Sequence, residues 1–192
     1  MIFRMARPRT ISDEVVLDVA LNLVRESGPD SLSFGTLAGR VQLAGSTLVQ
    51  RFGTKANLLR SALLLAWDRL DADTDRALTR AGHGGTGVVE MLVMLSGQYR
   101  PDTFADQLLI LREDLRDPVL RARGQAWLAV LSDAVEQRLA DAPGGSRGLG
   151  EIVLTHWQGT LTIWGFRRRG AISSQVRRSL TDLFDRLGIS RD

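Results

Sequence analysis

The sequence predicts an all-α protein: an N-terminal three-helix domain with a helix-turn-helix, then a larger C-terminal helical domain. Three observations predict this class. Apolar residues recur at three- and four-residue spacing along the chain, without an alternating strand pattern, internal repeat or low-complexity tract. Breaks at Ser27-Gly28-Pro29, Gly82-His83-Gly84-Gly85, Pro101, Asp117-Pro118 and residues 142–145 divide it into segments of helical length. Two short helical segments near the start are joined by a turn of few residues, with a third segment just upstream, which is the helix-turn-helix pattern.

The first helix opens near Ser12, with Asp13 and Glu14 suited to a first turn that favours negative charge. Val16, Val19, Ala20 and Leu23 form its apolar stripe, and Ser27-Gly28-Pro29 stops it. A second, short helix starts at Ser33 and carries Phe34, Leu37, Ala38 and Val41. A third spans roughly residues 44–51 around Leu48. Thr54 reads as the N-cap of a long helix through Leu58, Leu59, Ala62 and Leu63 towards Arg80. Helices over residues 88–98, 103–115 and 119–139 follow, then two more. The expected domains are residues 1–55 and 56–192.

The penultimate helix carries two apolar stripes. At about 100° per residue, Ile152, His156, Gly159, Ile163 and Phe166 share one face, with Leu154, Trp157, Leu161 and Trp164 nearly opposite. A surface helix of a monomer needs only one such stripe. The second stripe calls for another covering: a second subunit, or central burial within one chain. The last helix presents Val176, Leu180, Leu183, Phe184 and Leu187. A homodimer built from these two helices of each subunit is expected, with Gly159 permitting close approach.

Several function classes are disfavoured. The chain has no cysteine, which removes disulfide, iron–sulfur and thiol chemistry and fits an intracellular protein. MIFRMARPRT lacks an apolar core for a secretory signal, and residues 148–166 include Glu151, His156 and Gln158, a poor membrane span. A soluble, cytoplasmic protein without a membrane partner is expected. No G-x-S-x-G, Walker loop, paired His–Glu helix or cysteine nucleophile is present, so no enzyme, catalytic residue or cofactor is expected. The two histidines, His83 and His156, are too far apart in sequence to suggest a metal site.

Charge is more informative. Net charge is only +3, yet no acidic residue occurs between Asp30 and Asp68, where Arg40, Arg51, Lys55 and Arg60 are all cationic. Lys55 is the sole lysine of the 192 residues and falls in the first turn of the long helix. That end already carries partial positive charge and free N–H groups, a setting for phosphate. The bias points to nucleic acid.

The segment LSFGTLAGRVQLAGSTLVQRFGTKANLL, residues 32–59, resembles the DNA-binding motif of TetR-type transcriptional regulators, and VVLDVALNLVRESG resembles their first helix. The matching positions are Ser33, Leu37-Ala38, Thr47-Leu48, Phe52 and Lys55. The resemblance covers about 45 residues. It implies an N-terminal domain that binds operator DNA as a dimer and a C-terminal domain whose small-molecule effector weakens that binding. This chain departs at Val41-Gln42, where the family has Ala-Gly. It also departs at Ala44, Val49 and Arg51, where serine, tyrosine and histidine or tyrosine are usual. A positive φ at Gln42 would cost about 1 kcal/mol.

Resemblance and chemistry together place Thr54 and Lys55 on a backbone phosphate, with Ser33 and Arg51 as further backbone contacts. Base readout falls to Gly45, Ser46, Thr47 and Gln50; Thr47 suits a thymine methyl and Gln50 an adenine. Two alternatives stand beside these roles: Ser46 as a plain helix cap, and Gln50 as a solvated surface residue. The arm carrying Arg4, Arg7 and Arg9 can reach a neighbouring groove or remain a tail.

In the second domain, Trp67, Met94, Phe104 and Trp127 suggest an apolar pocket, with Gln98, His156 and Thr160 orienting a ligand. The competing reading makes the aromatics ordinary core and His156 an interface residue. The dimer face is expected from Ile152, His156, Gly159, Ile163, Phe166, Leu180 and Phe184. The function expected is a dimeric repressor released from double-stranded operator DNA by a small apolar ligand. The alternative is a helical ligand- or protein-binding dimer whose DNA-binding head has decayed.

Overall fold

Ser12 starts α1 (Asp13–Ser27), its side chain accepting the Val15 N–H at 3.4 Å while Asp13 and Glu14 occupy the first turn. Gly28, at φ 78°, ends the helix and leads into a 3₁₀ turn (Pro29–Ser31). Ser33 and Thr36 then form a capping box that opens α2 (Phe34–Val41): the Thr36 N–H donates to Ser33 Oγ, and the Ser33 N–H to Thr36 Oγ1, each at 3.0 Å. α3 (Gly45–Phe52) follows after a tight turn. α4 (Lys55–Arg80) begins where Thr54 Oγ1 accepts the Asn57 N–H at 3.1 Å.

The computed structural model describes residues 11–190, which contain nine α-helices and no strand. The chain forms two compact units, the first ending at Ala66 and the second starting at Trp67. That division falls inside α4, past the boundary expected at residue 55.

In the first unit α2 packs on α1 and α3. Leu37, Leu48, Leu58, Ala62 and Leu63 are buried together with Val16, Ala20, Leu21 and Leu32. The turn between α2 and α3 requires a left-handed residue, and Gln42 supplies it at φ 55°, ψ 39°. A non-glycine residue in that conformation costs about 1 kcal/mol. The fold bears this cost because the turn sets the angle of α3 against α2.

The second unit continues with α5 (Gly84–Ser96), α6 (Phe104–Arg116), α7 (Pro118–Leu139), α8 (Leu149–Arg167) and α9 (Ile172–Leu187). α5 starts at Gly84 rather than at Val88, inside the glycine run that reads as a loop. Packing overrides propensity there, because a β-carbon on Gly87 would overlap the Gly82 carbonyl. α5 packs on α9 and α7, and α8 on α7 and α9.

The core of this unit is built around indoles whose N–H groups all find acceptors. Trp157 Nε1 donates to Ser96 Oγ at 2.9 Å, and Ser96 Oγ donates to the Leu92 carbonyl at 2.6 Å. Trp127 Nε1 donates to Thr74 Oγ1 at 2.9 Å, and Thr74 Oγ1 to the Leu70 carbonyl at 2.7 Å. Trp164 uses the Gly170 carbonyl. In two cases, then, a hydroxyl both accepts from an indole and donates one turn back along its own helix. That arrangement lets tryptophan be buried without an orphaned donor.

Among the described residues no helix is long and apolar enough to cross a membrane, and no three acidic or histidine side chains cluster as a metal site.

Ser96 is fully buried. Replacing it in Ser96→Ala strands the Trp157 N–H and is expected to destabilise the protein by about 1–3 kcal/mol. Urea unfolding followed by tryptophan fluorescence measures this.

Candidate functional site

α3 has eight residues, and Leu48 is the one that is fully buried. The front of the helix is open. Ser46 and Gln50 are exposed, and Gly45 and Thr47 are half-buried. Thr47 N–H and Leu48 N–H turn back to the Ala44 carbonyl at 3.0 and 3.3 Å. α3 has no side-chain cap, so Ser46 remains exposed rather than serving as one. A β-carbon at Gly45 would meet nothing within 4 Å, so packing inside the chain gives no reason for glycine there. Val49 is exposed and apolar.

Thr54 and Lys55 lie at the start of α4. Lys55 is exposed, and its Nζ donates to the Asp30 carbonyl at 3.1 Å. No carboxylate pairs with it among the described residues, so its charge is uncompensated at a helix end that already favours anions. Ser33 is half-buried, and its hydroxyl is engaged by Thr36.

Arg51, expected as a further backbone contact, has partners within the chain. Its guanidinium is turned inward, 22% exposed, with Nη1 donating to the Ile11 carbonyl at 2.8 Å and to Asp13 Oδ1 at 3.3 Å. Arg51 therefore ties the end of α3 to the start of α1. The sequence contains Asp13 but not its proximity. Arg4, Arg7 and Arg9 lie outside the described residues.

The residues expected to line one apolar pocket fall in separate places. Trp67, Trp127 and Trp157 form an aromatic series, with ring centroids 5.9 and 6.3 Å apart. Phe104 packs edge-on to Trp164 at 5.8 Å. Trp67 Nε1 donates to Asp114 Oδ1 at 3.0 Å, and burial pushes the Asp114 carboxyl up to about 6 despite that hydrogen bond. His156 Nε2 contacts Ser179 Oγ at 2.8 Å, and Thr160 Oγ1 contacts the same hydroxyl at 2.9 Å. That places His156 and Thr160 at the α8–α9 seam. Trp127 borders a cleft beside Arg123 and Val130, while Met94 and Gln98 border a separate open cleft between α4 and α5. Sequence reasoning missed Asp114, Ser179 and the cleft's Arg76 and Arg80. The last two had a signal, since arginines four apart share one helix face.

α8 divides as its two stripes suggest. Leu154, Trp157, Leu161 and Trp164 are buried, while Ile152 is 51%, Ile163 48% and Phe166 85% exposed. A β-carbon at Gly159 would meet nothing within 4 Å. Leu180 and Phe184, expected at a subunit interface, are instead fully buried in their own chain. They lie on the stripe of α9 that faces α5 and α8, which leaves none of their surface for a partner.

No family model matches the sequence. Over 67 residues, 35% of this chain and 33% of the relative, it is 36% identical to the HTH-type transcriptional repressor KstR of Mycolicibacterium smegmatis. The matched part spans about a third of that repressor's length. Solved structures match far more of the chain. A transcriptional regulator from a Rhodococcus species has a TM-score of 0.72 at 15% identity, covering 93% of this chain and 98% of that one. The TetR-family regulator PfmR of Thermus thermophilus has 0.63 at 22%, covering 89% and 97%. The ketosteroid regulator KstR2 of Mycobacterium tuberculosis has 0.61 at 14%, covering 94% and 96%. The fold of this chain is that of the TetR-family transcriptional regulators.

Proposed function

We propose that this protein is a dimeric DNA-binding transcriptional regulator, a repressor that leaves its operator when the second unit takes up a small molecule. The observation that carries the reading is the front of α3. It offers Gly45, Ser46, Thr47 and Gln50 beside an uncompensated Lys55, in a stretch of chain with no carboxylate. A helix presented in this way by a helix-turn-helix enters the major groove and reads base edges with its N-terminal residues. Thr54 and Lys55 hold a backbone phosphate. Such a contact sets register and salt dependence without carrying sequence information.

The exposed stripe of α8 supports the homodimer. Ile152, Ile163 and Phe166 flank Gly159, where backbones can approach closely, so the contact centres on α8 rather than on Leu180 and Phe184. Two recognition helices reach successive grooves only when about 34–36 Å apart. An effector that shifts the protein between two spacings lowers affinity through a coupling of about 1–3 kcal/mol.

Two variants test these contacts. Gly45→Ala removes no packing within the chain and improves helix propensity, so stability is expected to hold or rise. Its affinity for operator duplex is expected to fall about tenfold or more, because the added methyl blocks close backbone approach. Unchanged affinity by fluorescence anisotropy would remove α3 from the interface. Ile163→Asp places a charge on the exposed apolar stripe. Sedimentation velocity is expected to show a folded monomer in place of a dimer.

A further inference from the structure

The cleft between α4 and α5 sets cationic side chains over an apolar floor. It encloses 290 Å³ and lies wholly within that unit. Leu70, Ala77 and Leu95 supply an apolar floor, and Met94, 39% exposed, forms a flexible wall. Arg76, Arg80 and Gln98 stand at the rim. Asp73 pairs with Arg76, one turn away on the same helix. Arg80 pairs with no carboxylate among the described residues, so the cleft carries one net positive charge.

These features select a ligand class. The volume is near the lower end for small-molecule sites and suits one short apolar body. Guanidinium groups four residues apart lie on one helix face and can converge on a single anionic head. Asp73 at the same rim repels a multiply charged head, so a monoanion fits better than a phosphomonoester. Methionine adapts its shape to whatever chain lies against it.

We propose that this cleft binds a small amphiphile bearing a single carboxylate, with its head on Arg76 and Arg80 and its apolar body on Met94 and Leu95. Gln98 contributes a neutral hydrogen bond to the head. The inference deepens the regulator reading, and it rests on that reading only in making the bound molecule the effector.

The test uses the full chain without DNA, labelled with 13C-methyl methionine and titrated with octanoate, octanol or acetate below micellar concentrations. Octanoate is expected to shift the Met94 methyl resonance saturably. Octanol, which lacks the charge, and acetate, which lacks the chain, are each expected to bind at least about tenfold more weakly. Arg80→Ala, an exposed substitution, is expected to weaken octanoate about tenfold, and Arg80→Lys to restore part of the loss. Equal binding of octanoate and octanol, no response at Met94, or an unchanged Arg80→Ala titration would each overturn the proposal. Since binding is read on the protein alone, failure here and failure of the DNA reading are separate results.

Discussion

Burial of Leu48 is the constraint on which the first unit depends. An eight-residue helix is not stable in water by itself. α3 has no side-chain cap, and one fully buried side chain fastens it to the unit's core. The surrounding structure compensates. Ser33 and Thr36 fix the start of α2, Gln42 accepts a left-handed backbone to aim α3, and Arg51 ties the helix end to Ile11 and Asp13. Held in this way from one side and one end, α3 can leave Ser46 and Gln50 facing solvent. Neither side chain is constrained by packing.

The second unit solves a different problem. It buries large indoles while keeping each N–H bonded, using hydroxyls on α4 and α5 and a loop carbonyl. One face of α8 is occupied in that work, and the other is left apolar and exposed. That face exposes Ile152, Ile163 and Phe166 around Gly159, apolar side chains that nothing among the described residues covers. The same unit reserves its charged cleft for the α4–α5 side, away from the α8 stripe in sequence and in the helices that line it.

Much of this was legible in the sequence, for identifiable reasons. Helix caps are local, so Ser12, Ser33 and Thr54 announced three helix starts. The two stripes of α8 were readable because helical periodicity is itself a local property. The left-handed backbone at Gln42 was signalled by the resemblance, since the family has glycine at that position of the turn. What failed depended on long-range contacts. The partner of Arg51 within the chain, Asp13, lies 38 residues away in sequence and was not legible there. Leu180 and Phe184 were assigned to a partner because periodicity shows that a face is apolar but not what covers it. Tryptophans at helical spacing mark core and cavity alike, and Trp127 belongs to both, buried in the core and bordering a cleft. The start of α5 inside a glycine run was hidden because the close contact of Gly87 with Gly82 is tertiary.

The central claim is that α3 and the start of α4 meet duplex DNA through a phosphate held by Lys55. Its most direct test is the salt dependence of binding to a duplex from the region upstream of the protein's own gene, for wild type and Lys55→Ala. The account predicts selective binding over random duplex and a steep fall of affinity with salt, with the slope reduced by about one in the variant. Equal binding of upstream and random duplex, with identical slopes for both proteins, would contradict it.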